Sequence, residues 1–360
     1  MRGEPDQPGI FTWRHHLPLL STTPPVSLFE GDTPLLDIPE LAERWRVSAA
    51  YVKDESRNPT WSYKDRLAAV AVTKAVELGS DTVVVSTTGN HGAAVAAYAA
   101  RAHIRCVVLT LASVPETMRT LMQSYGASVV ALRESTERWA LMRQAVSELG
   151  WIPMSNFQDP PVGSVPFGVD GYKTIAYEIH RQLGRIPTHV IVPTAYADGL
   201  TGIWRGFEDL RRSGTVSELP AMVAAEPLGP YGATLAAGTD RTQIVESHPS
   251  VAFSTASPVA TFQGIHTLRM SGGRAFSQPD DERIISDQTW LAERSGIYME
   301  AAAAVGVSAG DQMGFGADDV VVLVGTSTGL KDPTSTAVRM APVPTIEPTL
   351  PDLLAHLDGS

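Results

Sequence analysis

Only five lysines occur in this 360-residue chain: Lys53, Lys64, Lys74, Lys173 and Lys331. Lys64 stands apart because it closes the run NPTWSYK, residues 58–64, at the start of a predicted helix. An amine there lies in the positive end of the helix dipole, which favours its neutral form. A neutral amine is what Schiff-base formation with a carbonyl requires. The bland alternative is a surface lysine, with Asp65 and Arg66 as exposed charges beside it. Three further segments run from an apolar burst into small or hydroxyl-bearing residues. Residues 83–92, VVVSTTGNHG, expose backbone N–H groups at a helix start, which suits an anion such as a carboxylate. Residues 190–201, VIVPTAYADGLT, form a second such turn, able to hold a phosphate through backbone N–H groups. Asp198 would repel a phosphate and reads instead as the helix N-cap, its side chain turned away. Residues 321–333, VVLVGTSTGLKDP, end a strand in hydroxyls that suit a ligand atom needing a neutral partner. Taken alone, each of the three is equally an ordinary capped turn.

These groups need elements to hold them. Apolar, β-branched bursts predict strands at 81–86, 104–110, 128–132, 189–193, 221–225 and 319–324. Their continuous apolarity fits sheets covered on both faces. Helical periodicity predicts helices at 64–78, 90–102, 116–125, 137–149, 172–183 and 200–212. The alternation means an α/β fold with parallel sheets, whose ligands sit at the carboxyl ends of strands. Residues 1–25 read as an irregular, Pro- and Thr-rich arm. Residues 341–360 read as a Pro-rich tail with one short helix at 353–357.

Composition narrows the function. A net charge of -11 disfavours nucleic-acid binding. With 43% hydrophobic and 19% charged residues, the chain can build a proper core. No apolar run reaches membrane-spanning length, and the N-terminus carries acids and prolines where a signal peptide needs an apolar stretch. We therefore expect a cytoplasmic protein with no membrane partner. Cys106 is the single cysteine, which excludes internal disulfides and Cys-rich metal sites, and no metal is expected. Neither GxGxxG nor GxxxxGK[ST] occurs, so dinucleotide and Walker-type ATP sites lack their fingerprints.

Five motifs in order resemble the pyridoxal-phosphate enzymes of fold type II, the tryptophan synthase β-like class, and within it the threonine synthase-like proteins. They are Gly31-Asp32-Thr33-Pro34-Leu35, the stretch from Lys53-Asp54-Glu55 to Arg66, Thr88-Gly89-Asn90-His91, Gly171-Tyr172-Lys173-Thr174, and Gly329-Leu330-Lys331-Asp332-Pro333. They span about residues 28–335. The resemblance implies two three-layer α/β domains with parallel-rich sheets, at 26–185 and 186–340, and a mobile subdomain at about 80–150 that closes over substrate. It implies pyridoxal 5'-phosphate held as a Schiff base on Lys64, which then shuttles the substrate's α-proton. It places Asn90 at the cofactor's 3-hydroxyl and Thr326 at its pyridine nitrogen. Ala195, Tyr196, Ala197, Asp198 and Gly199, with Thr201, would hold the cofactor phosphate. Thr87, Thr88, Gly89, Asn90 and His91 would hold the substrate carboxylate. Lys173 and Lys331 are the rival amines, without the Ser-Tyr-Lys context. Glu300 is a candidate to approach the site. The implied function is elimination or replacement at the β or γ carbon of an amino acid, by a homodimer. A serine/threonine dehydratase-type deaminase, a β-replacement synthase and a non-catalytic binding protein on the same fold are the alternatives.

Three departures bear on the substrate. Ala195, Tyr196 and Asp198 interrupt the glycines and asparagines of the family's phosphate loop. Trp61 stands where the family has glycine, and its ring is expected to narrow the pocket. Gly168 stands where threonine synthases carry an arginine for the substrate phosphate, which argues against phosphohomoserine.

Overall fold

The apolar bursts form buried strands in the structure, a computed structural model that describes residues 7–239 and 241–358. The strands are β1 (Leu35–Asp37), β2 (Ala49–Asp54), β3 (Thr82–Ser86), β4 (Arg105–Leu111), β5 (Ser128–Leu132), β6 (Ile152–Pro153), β7 (His189–Pro193), β8 (Ala221–Glu226), β9 (Arg274–Ser277) and β10 (Val320–Gly325). Between them run α1 (Pro39–Trp45), α2 (Lys64–Glu77), α3 (Asn90–Arg101), α4 (Glu116–Ser124), α5 (Ser135–Leu149), α6 (Pro166–Val169), α7 (Lys173–Leu183), α8 (Asp198–Arg212), α9 (Pro230–Ala236), α10 (Phe262–Met270), α11 (Asp281–Ser295) and α12 (Ala301–Met313). Two more helices, α13 (Pro333–Ala337) and α14 (Leu350–Asp358), follow β10.

The strands make two sheets, as expected for the α/β class. A six-stranded sheet has the order β1-β2-β10-β7-β8-β9, and a four-stranded sheet the order β5-β4-β3-β6. Every pairing is parallel except β1 with β2. Alternation along β10 covers both faces of the larger sheet. Val321 and Leu323 pack with Trp45, Ala303 and Val307, whereas Val322 and Val324 join Leu200, Ile203 and Tyr172. The smaller sheet is likewise sandwiched, with Val83 and Val85 against α3 and α4, and Val84 and Leu109 against Met142 of α5.

The sheets do not part at residue 185. β1 and β2 come from the N-terminal half but join the larger sheet, because β2 pairs along its whole length with β10. Part of the described N-terminal arm is also regular: Gly9–His16 is a 3₁₀ helix, while residues 17–25 are irregular as expected. Ile10, Phe11, Trp13 and Leu17 are buried in the main core, and the Trp13 ring lies 5.2 Å from that of Tyr177. Burying four large apolar side chains outweighs the weak local propensity of a Pro-rich segment. The tail helix is longer than expected, and Leu350, Leu353, Leu354 and Leu357 on it are exposed. Among the described residues no helix is long and apolar enough to cross a membrane.

Candidate active site

The carboxyl ends of β3, β7 and β10 converge on a cavity of about 480 Å³. Lys64 enters it as the first residue of α2, half-buried, with Nζ 5.0 Å from the centroid of the Tyr63 ring and 5.9 Å from that of Tyr172. Its position is set by the end of β10. Ser62 and Ser327 form a β-bridge, and the Tyr63 N–H donates to the Thr326 carbonyl at 2.9 Å. Thr326 is buried in the cavity wall, so Lys64 and this neutral hydroxyl side chain line the same chamber.

The segment leading into Lys64 is held from behind by buried charge. Arg66 donates to both oxygens of Glu55 at 2.7 and 2.8 Å and to both oxygens of Glu178 at 2.6 and 2.7 Å. Lys53 Nζ adds a contact to Glu178 at 2.7 Å. Burial pushes the Glu178 carboxyl up, but Arg66 and Lys53 outweigh it and hold the group below the ordinary carboxylate range. Asp65 accepts from the Thr60 N–H and hydroxyl at 2.9 and 2.8 Å. Asp65 and Arg66 are thus fully buried, not exposed charges. Trp61 also differs from expectation. Its φ is +59°, a backbone state glycine adopts freely, and its ring is exposed rather than in the cavity wall. A glycine-favouring conformation, not pocket width, is what this position demands.

The turn after β3 is tied by its own first threonine. Thr87 Oγ1 accepts from the N–H groups of Gly89 and Gly92 at 3.0 and 3.1 Å. The Thr87 N–H goes to Leu109, and its carbonyl accepts from Thr110 and Arg138. Thr87 and the Gly89 amide are therefore engaged in shaping the turn, although Thr87 also lines the cavity. Thr88, Asn90 and His91, at the start of α3, keep N–H groups without intrahelical acceptors. Burial, with Lys64 adding to it, drives the His91 pKa well below the ordinary value, so the imidazole is neutral. Among the described residues its Nε2 and Ser86 Oγ are buried polar atoms without a hydrogen-bond partner, and both residues line the cavity.

Opposite lies the turn after β7. The Ala195 carbonyl accepts from the Tyr231 hydroxyl at 2.9 Å, and the Tyr196 carbonyl from Thr261 and Gln263 at 2.8 Å each. Their lone pairs are thus occupied away from the cavity, while the first N–H groups of α8 have no intrahelical acceptor. Residues 195–199 all line the chamber. The helix N-cap is Ala197, in the left-handed region, and not Asp198. Asp198 instead accepts from Ser164 N and Oγ at 2.9 and 2.6 Å and from Gln263 at 2.8 Å, which turns its charge onto those donors. Thr201 is outside the chamber: it sits further along α8, and its hydroxyl accepts from Thr267 at 3.1 Å. Gly199 is a steric requirement, because a Cβ there would lie 2.6 Å from the Tyr63 ring. Gly199→Ala is expected to weaken anion binding by this turn by about 1–3 kcal/mol, the usual cost of overpacking. A pyridoxal-phosphate titration of the apoprotein checks this; an unchanged Kd would refute it.

Asn90, Glu300 and Arg138 of the cavity wall, with Lys331 behind it, complete the arrangement. Asn90 Nδ2 donates to the Glu300 carboxylate at 2.9 and 3.1 Å, and Lys331 Nζ donates to Asn90 Oδ1 at 2.7 Å. Burial raises the Glu300 pKa, with Asn90 and Lys331 opposing. The cavity guanidinium is Arg138, from α5. Gly168 is no part of the wall: a Cβ there would meet Leu67 and Ala71 of α2 at 3.0 and 3.1 Å. Arg138 had no signal of its own in the sequence. Glu300 is suggested by the family resemblance, not by any signal of its own. Among the described residues no group of acids, histidines and cysteines forms a metal site.

A lysine, two amide-lined anion cradles and a neutral hydroxyl around one chamber fit a phosphorylated aldehyde cofactor and an amino-acid substrate. The partnerless Ser86 and His91 atoms are consistent with that fit. The structure is thus that of a two-sheet α/β enzyme with its cofactor cleft at the strand ends. Known proteins agree. Residues 26–327 match the family model "Pyridoxal-phosphate dependent enzyme". The chain is 32% identical to threonine synthase of Halalkalibacterium halodurans, over 96% of this chain and 95% of that protein. It is 31% identical to threonine synthase of Mycobacterium leprae, over 98% and 95% of the two chains. Among solved structures, maize serine racemase superposes with a TM-score of 0.72 at 19% identity, covering 91% of this chain and 93% of that one. Diaminopropionate ammonia lyase from Escherichia coli gives 0.73 at 19%, covering 88% and 91%. At such identity these two establish the fold alone. The chain belongs to the pyridoxal-phosphate dependent enzymes, and pyridoxal 5'-phosphate is its cofactor.

Proposed function

We propose that the enzyme acts on an α-amino acid by elimination or replacement at the β or γ carbon, with the cofactor bound through Lys64. The observation that carries this reading is Thr326. A neutral hydroxyl at the cofactor ring cannot hold the pyridine nitrogen protonated as a carboxylate does, so the ring is a weaker electron sink. Reactions that expel a leaving group then gain over transamination, because the leaving group drains the charge. In this reading the N–H groups of Thr88, Asn90 and His91 bind the substrate carboxylate. The turn at Ala195, Tyr196, Ala197, Asp198 and Gly199, with the start of α8, binds the cofactor phosphate. Asn90 meets the 3-hydroxyl. The Lys64 amine, once released, carries the substrate's α-proton, and neutral His91 lines the carboxylate loop. The smaller sheet, residues 80–150, closes over the substrate and excludes water. A cytoplasmic homodimer belongs to the same proposal on the strength of the family resemblance; light scattering and cell fractionation check it.

The test is borohydride reduction of the cofactor-loaded protein, peptide mapping of the adduct, and turnover of a panel of amino acids bearing β or γ leaving groups. An adduct on Lys64 is expected, with release of ammonia and a 2-oxo acid for elimination or formation of a new amino acid for replacement. An adduct elsewhere, or a loaded protein inert to the whole panel, would sink the proposal.

A further inference from the structure

Lys331 follows β10 in the short 3₁₀ turn Gly329–Lys331 and is 4% exposed. Burying an ammonium is expensive unless a carboxylate answers it. Among the described residues none comes within ion-pair distance of its Nζ, although Glu300 and Asp65 attract it from further away. Its side-chain hydrogen bond goes to a neutral atom, Asn90 Oδ1, at 2.7 Å and 241 residues away in the chain. Ser327 Oγ donates to the same oxygen at 3.3 Å. On the other side of the amide, the Glu300 carboxylate accepts from Asn90 Nδ2 and is itself anchored by Ser254 at 3.0 Å.

This arrangement leaves the amide one orientation. Turned over, its NH₂ would face the Lys331 ammonium and its oxygen the Glu300 carboxylate, donor against donor and acceptor against acceptor. In this orientation Nδ2 is the donor end of the amide, lying against both Glu300 oxygens, while Lys331 holds the oxygen end. Resting on the reading that Asn90 meets the cofactor's 3-oxygen, we propose that Lys331 is a positioning residue of the cofactor site. It fixes the Asn90 amide as a donor and sets a positive charge behind it that favours the ionised 3-oxygen. Burial lowers the Lys331 pKa to about 8, with Glu300 and Asp65 opposing, so the charge is largely present at neutral pH.

The test compares wild type, Lys331→Met, Lys331→Gln, Asn90→Ala and the double variant Asn90→Ala/Lys331→Met, each titrated with pyridoxal 5'-phosphate. The readouts are Kd and the ratio of the long- to the short-wavelength cofactor band. Lys331→Met is expected to shift the ratio several-fold toward the short-wavelength band. It is also expected to weaken binding about tenfold, as loss of an outer partner of a binding group commonly does. In the Asn90→Ala background the same substitution is expected to change neither. An unchanged ratio and Kd in Lys331→Met overturns the proposal, as does an equal shift with Asn90 absent. Should Lys331→Met fail to fold, Lys331→Gln decides: it keeps a donor without the charge, and an unshifted band ratio overturns the proposal. Wild type that takes up cofactor at Lys64 while the Lys331 variants stay silent sinks this inference alone. Wild type that takes up none sinks the underlying reading.

Discussion

Lys64→Ala is expected to give a folded, colourless protein with no covalently held cofactor and turnover reduced by roughly 10³-fold or more. That is within the range positioned proton transfer contributes by itself, before loss of covalent attachment is counted. Little else should change. Lys64 is half-buried, and the segment before it is anchored by Asp65, Arg66 and the Tyr63–Thr326 backbone bond rather than by its own amine. A melting curve close to wild type, loss of visible absorbance and no borohydride-trapped adduct would together meet the expectation. The control is demanding, because a second buried amine, Lys331, lies behind the cavity wall and donates to Asn90, which lines it. Lys173, the other rival, is instead paired with Asp209 at 3.0 Å and lies outside the cavity wall. Full activity in the variant, or an adduct on Lys331 in the wild type, would overturn the assignment.

Glu178→Ala is expected to destabilise the protein by about 3–5 kcal/mol, the scale for removing one partner from a buried charge pair. The substitution strips the carboxylate shared by Arg66 and Lys53, both fully buried, and leaves Glu55 to answer two cations. One further donor loses its acceptor, the Asp32 N–H, and Arg66 Nη1 is left with Thr174 alone. Because the network grips the approach to Lys64, cofactor affinity should fall along with the denaturation midpoint. Chemical denaturation of apo and loaded protein checks both. A change under about 1 kcal/mol, ordinary for a surface position, would show that the network does not bear this weight.

The strands that could be read from sequence were those with uninterrupted Val, Ile and Leu, such as β3, β7 and β10, because both of their faces are covered. β2 was missed: its sequence AAYVKD ends in two charged residues, and Lys53 is buried only because Glu178, far along the chain, meets it. α12 was missed for the opposite reason. Over Ala301–Gly310 it is small, almost wholly apolar and buried on every side, so it carries no amphipathic stripe to detect. In the site, Lys64, Asn90 and the turn 195–199 announced themselves through local context. The tasks of Thr87 and Thr201 did not, because only the fold reveals that the one hydroxyl ties its own turn and the other faces Thr267. Lys331 was set aside on its local sequence, and its tie to Asn90 depends on bringing the two ends of the core together.

β10 lies in the middle of the larger sheet, flanked by β2 and β7, yet of the described strands it is the last to leave the ribosome. Until it emerges, β2 has no parallel neighbour and the backbone around Ser62 and Tyr63 has nothing to lean on. Such pairings between distant parts of a chain are slow to form and leave sticky edges waiting. If Lys64 holds the vitamin as proposed, its capture is a late event in the life of each molecule, and a chain cut short before residue 320 would lack the backbone partners of Ser62 and Tyr63 beside that amine.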